Sequence, residues 1–349
     1  MDNLVGTRLL KRNKKRLRKI NIFLGGNNMY KEPIFLSPIF KERIWGGRRL
    51  KEVFDYDIPN DHTGEAWAVS ALPNGANKVE NGPLAGKTLL DLWKNHGELF
   101  SADSNQTQEY PLLVKVLDAN DDLSVQVHPN DAYARDAEQV PYGKTECWYV
   151  LKADQGSEIV LGHHAQTKDE LDDMIEQGKW DELLHKEKVK PGDFFYVPSG
   201  TIHAIGKGIM ILEIQQSSDI TYRVYDYDRI DNEGKKRELH LERAKDVITV
   251  QNQETNFTNE SNQITKENDL TIEKLTVAEY FTVYHWHLDG EVSRQLTEGF
   301  LQVSVINGEA SIRVNEKSFP VQKGQHFIIP HSVKTYELAG KAEFIVSHV

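Results

Sequence analysis

The stretch GDFFYVPSGTIH, residues 192–203, runs glycine, five residues, proline, one residue, glycine, two residues, histidine. Phe194 to Val197 read as a buried strand, Pro198 and Gly200 build a tight turn, and the returning chain leaves His203 near the strand's end. A second stretch, SVQVHPND (124–131), sets Ser124, Gln126 and His128 at alternate positions, with Val125 and Val127 between them. Alternate residues of a strand share a face, so three polar side chains lie on one side and two valines on the other. That polar side either meets water or lines a site. In GKTECW, Lys144 and Glu146 likewise share a face of the next strand.

The spacing around His203 resembles the second signature motif of the cupin superfamily, small antiparallel barrels with a metal at the mouth. The expected fold is mainly β: two cupin (double-stranded antiparallel β-barrel) units, with a short helical insertion in the first. The resemblance implies further ligands from an earlier strand pair, which gives Gln126, His128, Glu146 and His203. Two imidazoles, a carboxylate and a neutral oxygen suit Zn²⁺ with a position left for water or substrate. A closed structural site would use thiolates; Cys147, beside Glu146, points to the opposite face and reads as a core thiol. Taken singly, each residue has a plainer role: His128 capping a helix, Glu146 pairing with Lys144, His203 filling a core. The four together, in this spacing, favour the site.

The 349 residues are 39 % hydrophobic, enough for a sizeable core and more than one domain. No apolar run approaches the roughly 20 residues of a membrane-spanning helix. A single cysteine excludes an internal disulfide and fits a reducing cytosol. Residues 1–28 carry eight Lys and Arg and one acid, Asp2. Without them 34 Lys and Arg face 52 Asp and Glu, a formal −18 against −11 for the whole chain. A basic run is the usual sign of a nucleic-acid or membrane arm; as a signal peptide the leader fails, since INIFLGG is short and no small-residue cleavage pattern follows. Codons for Gly25-Gly26 can spell a ribosome-binding sequence just ahead of Met29, and translation is expected to begin there naturally.

Along the chain, paired glycines in RIWGG indicate a tight turn, and residues 84–100 an amphipathic helix. After Pro129, NDAYARDAEQ opens on an Asn or Asp cap; TKDELDDMIEQG has a Thr-x-x-Glu capping box and is followed by a second short helix. The expected organisation is a leader (1–28), a catalytic cupin domain (29–250) with its helical insertion at about 165–187, and a polar linker (251–269). A C-terminal cupin-like β domain of short strands without a metal site (270–349) completes it. There GQHFIIPHSVKT repeats the framework with Ser332 and Thr335 where Gly200 and His203 stand, so the ligand position lacks its imidazole. His285 and His287 sit at alternate positions but lack a third partner and read as strand or surface histidines.

Six segments in order, EPIFLSPIFKERIWGG, GEAWAVSALPNG, SVQVHPND, GKTECWYV, PSGTIHAIG and EIQQSSDITYRVYDYDR, are similar to the type I mannose-6-phosphate isomerases in their shorter Gram-positive form, from about Tyr30 to the C-terminus. The resemblance implies one zinc ion per chain on Gln126, His128, Glu146 and His203. It places the family's essential arginine at Arg223, a serine and lysine near the metal at Ser124 and Lys144, and a glutamate at Glu213. The implied reaction interconverts mannose 6-phosphate and fructose 6-phosphate by proton transfer through an enediol. Arg223 would stabilise the developing negative charge. Glu213 is the first candidate for the base, with Asp226 an alternative. Lys144 would orient Glu146 or meet the phosphate, Arg229 would meet the phosphate or pair at the surface, and Trp45 would pack. The resemblance further implies a small sugar phosphate as partner, with no nucleic acid, membrane or obligate protein, in the cytoplasm.

Other cupin functions differ in composition. A dioxygenase favours a histidine-rich site for a redox metal, where Gln126, Lys144 and Arg223 are unexpected. A sugar-binding regulator would need a DNA-reading element, and no helix-turn-helix pattern is present. A non-catalytic sugar-phosphate-binding protein would not need the full ligand set.

Overall fold

A computed structural model describes residues 30–101, 108–230, 234–250 and 263–349. The leader and the expected start at Met29 lie outside the described residues, as do residues 251–262 of the expected linker. The chain is mainly β, and its described strands, β1 to β19 in chain order, pair antiparallel throughout in three sheets.

The first sheet has the order β2 (Ile39–Gly47), β3 (Thr63–Val69), β4 (Leu112–Ala119), β11 (Ile209–Gln216), β6 (Glu146–Ala153), β9 (Phe194–Val197). The second has β12 (Tyr222–Tyr225), β5 (Val125–Val127), β10 (His203–Ile205), β7 (Glu158–His163), β8 (Leu184–Lys188). Between them lies a core to which both contribute, with Leu117, Trp148, Ile211 and Phe195 from the first and Ile159, Leu161 and Ile205 from the second. The inward face of each strand changes character along its length. Period two carries β4 from Ala119 and Leu117 to Lys115, β11 from Ile209 and Ile211 to Glu213, β6 from Val150 and Trp148 to Glu146, and β10 from Ile205 to His203. One end of the interior is therefore a hydrocarbon floor and the other a polar chamber.

The outward face of the second sheet, including Val125, Val127 and Val224, is covered by helices Lys168–Glu176, Trp180–Leu183 and Leu241–Val247. Caps start two helices where the sequence placed them. Asn130 accepts from Tyr133 N at 2.9 Å at the head of helix Asp131–Ala137, and Thr167 accepts from Glu170 N at 3.1 Å. Glu170 reaches back to Gln166 N rather than to the cap residue itself, so the capping box closes one residue early. Helix Leu241–Val247 carries no side-chain cap, and the sequence reading missed it.

The third sheet runs β1 (Ile34–Leu36), β18 (His326–Ile329), β16 (Leu301–Val314), β19 (Thr335–His348), β15 (Thr282–Gln295), β14 (Leu270–Val277), β13 (Gln263–Glu267), with β17 (Lys317–Gln322) paired to β16. Its own core is apolar, with Trp286, Val303, Phe327 and Phe344 among the buried residues. It also packs on the outer face of the first sheet, where Val114, Cys147, Leu212 and Ile214 meet Phe281, Val283, Phe300 and Ile345. Cys147 is buried there, opposite Glu146, as its alternation required.

Five expectations need correction. The helix expected over residues 84–100 is only Leu89–Asn95, because Thr88 caps its start by accepting from Asp91 N at 3.1 Å. RIWGG is not a turn but the end of β2: Gly46 lies so close to β3 that a Cβ would stand 2.4 Å from His62 O, so the glycine permits backbone approach. Residues 263–267, placed in the linker, form β13, which pairs with β14. The segments FLQVSVI and EASIRV are one strand, β16, continued through a bulge between Val305 and Asn307. Finally, β1 belongs to the third sheet, with Ile34 opposite Ile328, so the boundary at 250 does not separate the chain into independent cores.

Candidate metal centre and its pocket

Three side chains from three strands meet in the polar chamber. His128 follows β5, Glu146 opens β6 and His203 opens β10; their ligand atoms lie within 4.8 Å of one another, and all three are buried. The turn at residues 198–201 sets His203. Thr201 N donates to Pro198 O at 3.2 Å, with Gly200 at φ 85° in the third position, as a type II turn requires. A Cβ on Gly200 would stand 2.5 Å from Thr249 Oγ1, so space and backbone both demand glycine. Gly200 N donates to His128 O at 2.8 Å, tying the two histidine segments together.

Both imidazoles are oriented from behind. His128 Nδ1 lies 2.8 Å from Ile220 O, and His203 Nδ1 2.9 Å from Thr201 O. A carbonyl only accepts, so each Nδ1 carries the proton and each Nε2 turns a lone pair inward, the tautomer that metal-binding histidines use. Burial pushes His128 well below the usual imidazole range, helped by the Lys144 ammonium, and burial lowers His203 against the pull of Glu146. Burial alone would raise Glu146, but Lys144, with Nζ 2.7 Å from Oε2, together with His203 and Lys115 outweighs it and holds the carboxyl below its ordinary value. Trp148 Nε1 donates to Glu146 Oε1 at 3.0 Å and fixes the carboxylate plane. Two neutral imidazoles and an ionised carboxylate fit a divalent cation, and among the described residues this is the sole such group of three. Gln126 places its amide nitrogen 3.3 Å from His203 Nε2; as a ligand it would have to present its oxygen, in the opposite amide orientation.

Above the triad lies a cavity of about 430 Å³ whose lining includes Ser124, Gln126, Lys144, Glu213 and Arg223. Five of the eight residues expected at the site thus line this cavity and the other three form the triad, while Asp226 and Arg229, also considered, do not line it. Glu213 lies 3.3 Å from Lys115 Nζ and 3.7 Å from Lys144 Nζ, yet burial and the neighbouring Glu146 push its carboxyl up. Burial disfavours the charge of Lys144, but Glu146 and Glu213 more than restore it and raise its pKa. Arg223 donates from Nε to Ser124 Oγ at 3.3 Å and from Nη1 to Glu238 O at 2.7 Å. Both acceptors are neutral.

Five charged cavity residues escaped the sequence reading: Arg43, Glu65, Lys115, Asp219 and Arg237. Lys115 and Glu65 had a signal, each being a charged residue inside an apolar strand run, LLVKVLDA and TGEAWAV. Glu65 takes a bidentate fork from Arg43, at 2.9 and 3.1 Å. Asp226, considered as a base, is instead gripped by Arg229 Nη2 at 2.6 Å and Arg237 Nε at 2.7 Å. Burial alone would raise it; the two guanidinium groups outweigh burial and hold it below the usual carboxylate range, the wrong direction for a base at neutral pH. Arg229, a phosphate candidate, spends its donors on Asp226 and on Asp122 O at 2.5 Å and lies outside the cavity lining. In the third sheet His285 bonds Glu343 Oε2 at 3.0 Å as a strand histidine, while Ser332 Oγ donates to Tyr30 O. Trp45 packs against the floor core. No helix of the described residues is long and apolar enough to cross a membrane.

Comparison with known proteins follows the same lines. Residues 34–149 match the model of the phosphomannose isomerase type I catalytic domain, and residues 271–349 that of the mannose-6-phosphate isomerase cupin domain. The chain is 51 % identical over 321 residues to mannose-6-phosphate isomerase ManA of Bacillus subtilis, covering 92 % of this chain and 100 % of the relative. It is 50 % identical over 317 residues to the mannose-6-phosphate isomerase of Streptococcus mutans, covering 91 % and 98 %. The crystal structure of the mannose 6-phosphate isomerase from Bacillus subtilis superposes with a TM-score of 0.87 at 46 % identity, over 91 % of this chain and 99 % of that one. A mutant phosphomannose isomerase from Salmonella typhimurium shares the fold, with a TM-score of 0.72 at 16 % identity over 90 % and 99 %.

Proposed function

The chain belongs to the type I mannose-6-phosphate isomerases, and on that premise we propose how its own residues interconvert mannose 6-phosphate and fructose 6-phosphate. The supporting observation is the buried triad of His128, Glu146 and His203, with both Nε2 lone pairs turned inward beneath a cavity lined by cations. These three residues, with Gln126 through its oxygen, would hold one Zn²⁺ per chain. Once bound, the ion would supply Lewis acidity toward a substrate oxygen.

Glu213 takes the proton from C2 of the aldose and returns a proton to C1, while the hydroxyl proton passes from O2 to O1, so the carbonyl moves from C1 to C2 through an enediol. A buried carboxylate with an upward-shifted pKa suits this exchange near neutral pH. Arg223 stands against the oxygen that gains negative charge; its guanidinium stays ionised and its orientation is fixed in advance by Ser124 and Glu238. Lys144 holds the Glu146 carboxylate and balances Glu213. We place the enzyme in the cytoplasm, acting on a soluble sugar phosphate without an obligate protein, nucleic-acid or membrane partner.

The test is conversion of mannose 6-phosphate to fructose 6-phosphate by purified protein, before and after chelation and after adding zinc back. Activity that disappears with chelator and returns with zinc supports the reading. Full activity in thoroughly metal-free protein would remove the metal from it.

A further inference from the structure

Asp226 lies at the end of β12, three residues beyond Arg223, and is 5 % exposed. It is the hub of two arms that end on the two groups holding Arg223. Through the first arm, Arg237 forks onto the carboxylate with Nε at 2.7 Å and with Nη2, and the next residue in sequence, Glu238, offers its carbonyl to Arg223 Nη1 at 2.7 Å. His240 closes this arm: its N donates to Arg223 O at 2.8 Å, and its Nδ1 accepts from Arg223 N at 3.1 Å. Through the second arm, Arg229 Nη2 donates to Asp226 Oδ1 at 2.6 Å and Nη1 to Asp122 O at 2.5 Å. Asp122 lies two residues before Ser124, whose Oγ takes Arg223 Nε at 3.3 Å. Three arginines thus share this one buried carboxylate, directly or through a neighbouring backbone.

We propose that Asp226 is a positioning residue that acts through Arg223: by clamping Arg237 and Arg229 it fixes the Glu238 carbonyl and the Ser124 hydroxyl that orient the Arg223 guanidinium over the cavity. The inference rests on the role given to Arg223 above. Glu238 O and Ser124 Oγ are neutral acceptors on separate segments; backbone pairing brings each beside Arg223, through His240 and through Gln126 opposite Arg223, and the arginines on Asp226 add an ionic clamp to each. A guanidinium displaced by about 1 Å costs as much as ~100-fold in rate, because its field must coincide with the charge as it develops.

The test is a double-mutant cycle on the zinc-loaded enzyme. Asp226→Asn, nearly isosteric, is expected to lower kcat by about 10- to 100-fold with zinc content unchanged and KM for mannose 6-phosphate moved far less. In an Arg223→Ala background the same substitution should lower kcat by less than about 2-fold, the margin within which independent sites add. Arg229→Lys is the second variant, should Asp226→Asn fold poorly: it keeps the charge, loses the fork, lies outside the cavity lining and should show the same dependence on Arg223. A loss from Asp226→Asn that persists undiminished in the Arg223→Ala background, or full turnover in the folded single variant, overturns the proposal. Failure of the underlying reading shows separately, as wild-type turnover in Arg223→Ala alone.

Discussion

Lowering the pH should unlock a buried histidine far from the metal centre. His326, on β18, is buried with Ser304 Oγ 2.9 Å from Nδ1 and the Tyr56 hydroxyl 2.8 Å from Nε2. Tyr56 donates to Gly324 O at 2.6 Å, so its oxygen accepts from Nε2–H while Nδ1 accepts from Ser304. Every polar atom of the neutral ring is satisfied, and no carboxylate shares in the bonds. Burial lowers the folded pKa to about 3. Because the unfolded imidazole takes up a proton near 6.5, the unfolded state binds more protons below that pH. Stability is then lost progressively as pH falls from about 6.5 toward 3. At about 1.36 kcal/mol per unit, the loss between pH 7.5 and 5.0 is about 2 kcal/mol. A cooperative unit of this length would lose roughly 3 °C in Tm. Thermal unfolding at both pH values, for the wild type and His326→Gln, isolates the contribution, since every other titrating group cancels in the comparison. The wild type should lose about 2 kcal/mol more than the variant over that interval. Equal losses in the two proteins would show that the imidazole is protonated in the fold or reaches water, and would refute the reasoning.

At the metal centre, His203→Ala should lose bound zinc and isomerase activity together, measured by metal analysis and turnover; an active, zinc-loaded variant would remove His203 from the ligand set. Arg223→Ala should keep its zinc while turnover falls by about 100-fold or more, as for loss of one group stabilising developing charge. Wild-type turnover there would exclude Arg223 from the chemistry. Gly308, at φ 74° within β16, has Lys341 O only 2.2 Å from where a Cβ would stand. Gly308→Ala should therefore cost at least about 2 kcal/mol in urea unfolding, and a change within about 0.5 kcal/mol would show that the strands part easily there.

What could be read in the sequence was local. Alternation placed Gln126 and His128 on one face and Cys147 opposite Glu146, and the Pro198-x-Gly200 turn announced the approach of His203. Asn130 and Thr167 marked helix starts because a cap needs only a neighbour three residues away. What escaped depends on distant segments. Nothing beside Asp226 in the chain shows that its partners include Arg237 rather than substrate, and nothing in IFL says that its partner strand is HFII. The long strands of the third sheet were divided because Asn307 and Gly308 read as a turn in isolation, whereas β19 runs alongside both and carries the strand through.

The placement of β1 has a further consequence for how the molecule is made. Ile34, Phe35 and Leu36 are all buried, but their strand partner is Ile328, Phe327 and His326. During synthesis at about 5–20 residues per second, these three residues leave the ribosome roughly 15 to 60 s before β18 exists to receive them. One edge of this strand meets residues 78–81 early, but the nascent chain carries its other edge open through nearly its whole translation, while the catalytic half is already available to fold. Chains arrested before residue 326 would keep that edge open and expose the face that the third sheet covers. The last strands to be made thus decide whether the open edge of the first becomes part of an enzyme or a nucleus for aggregation.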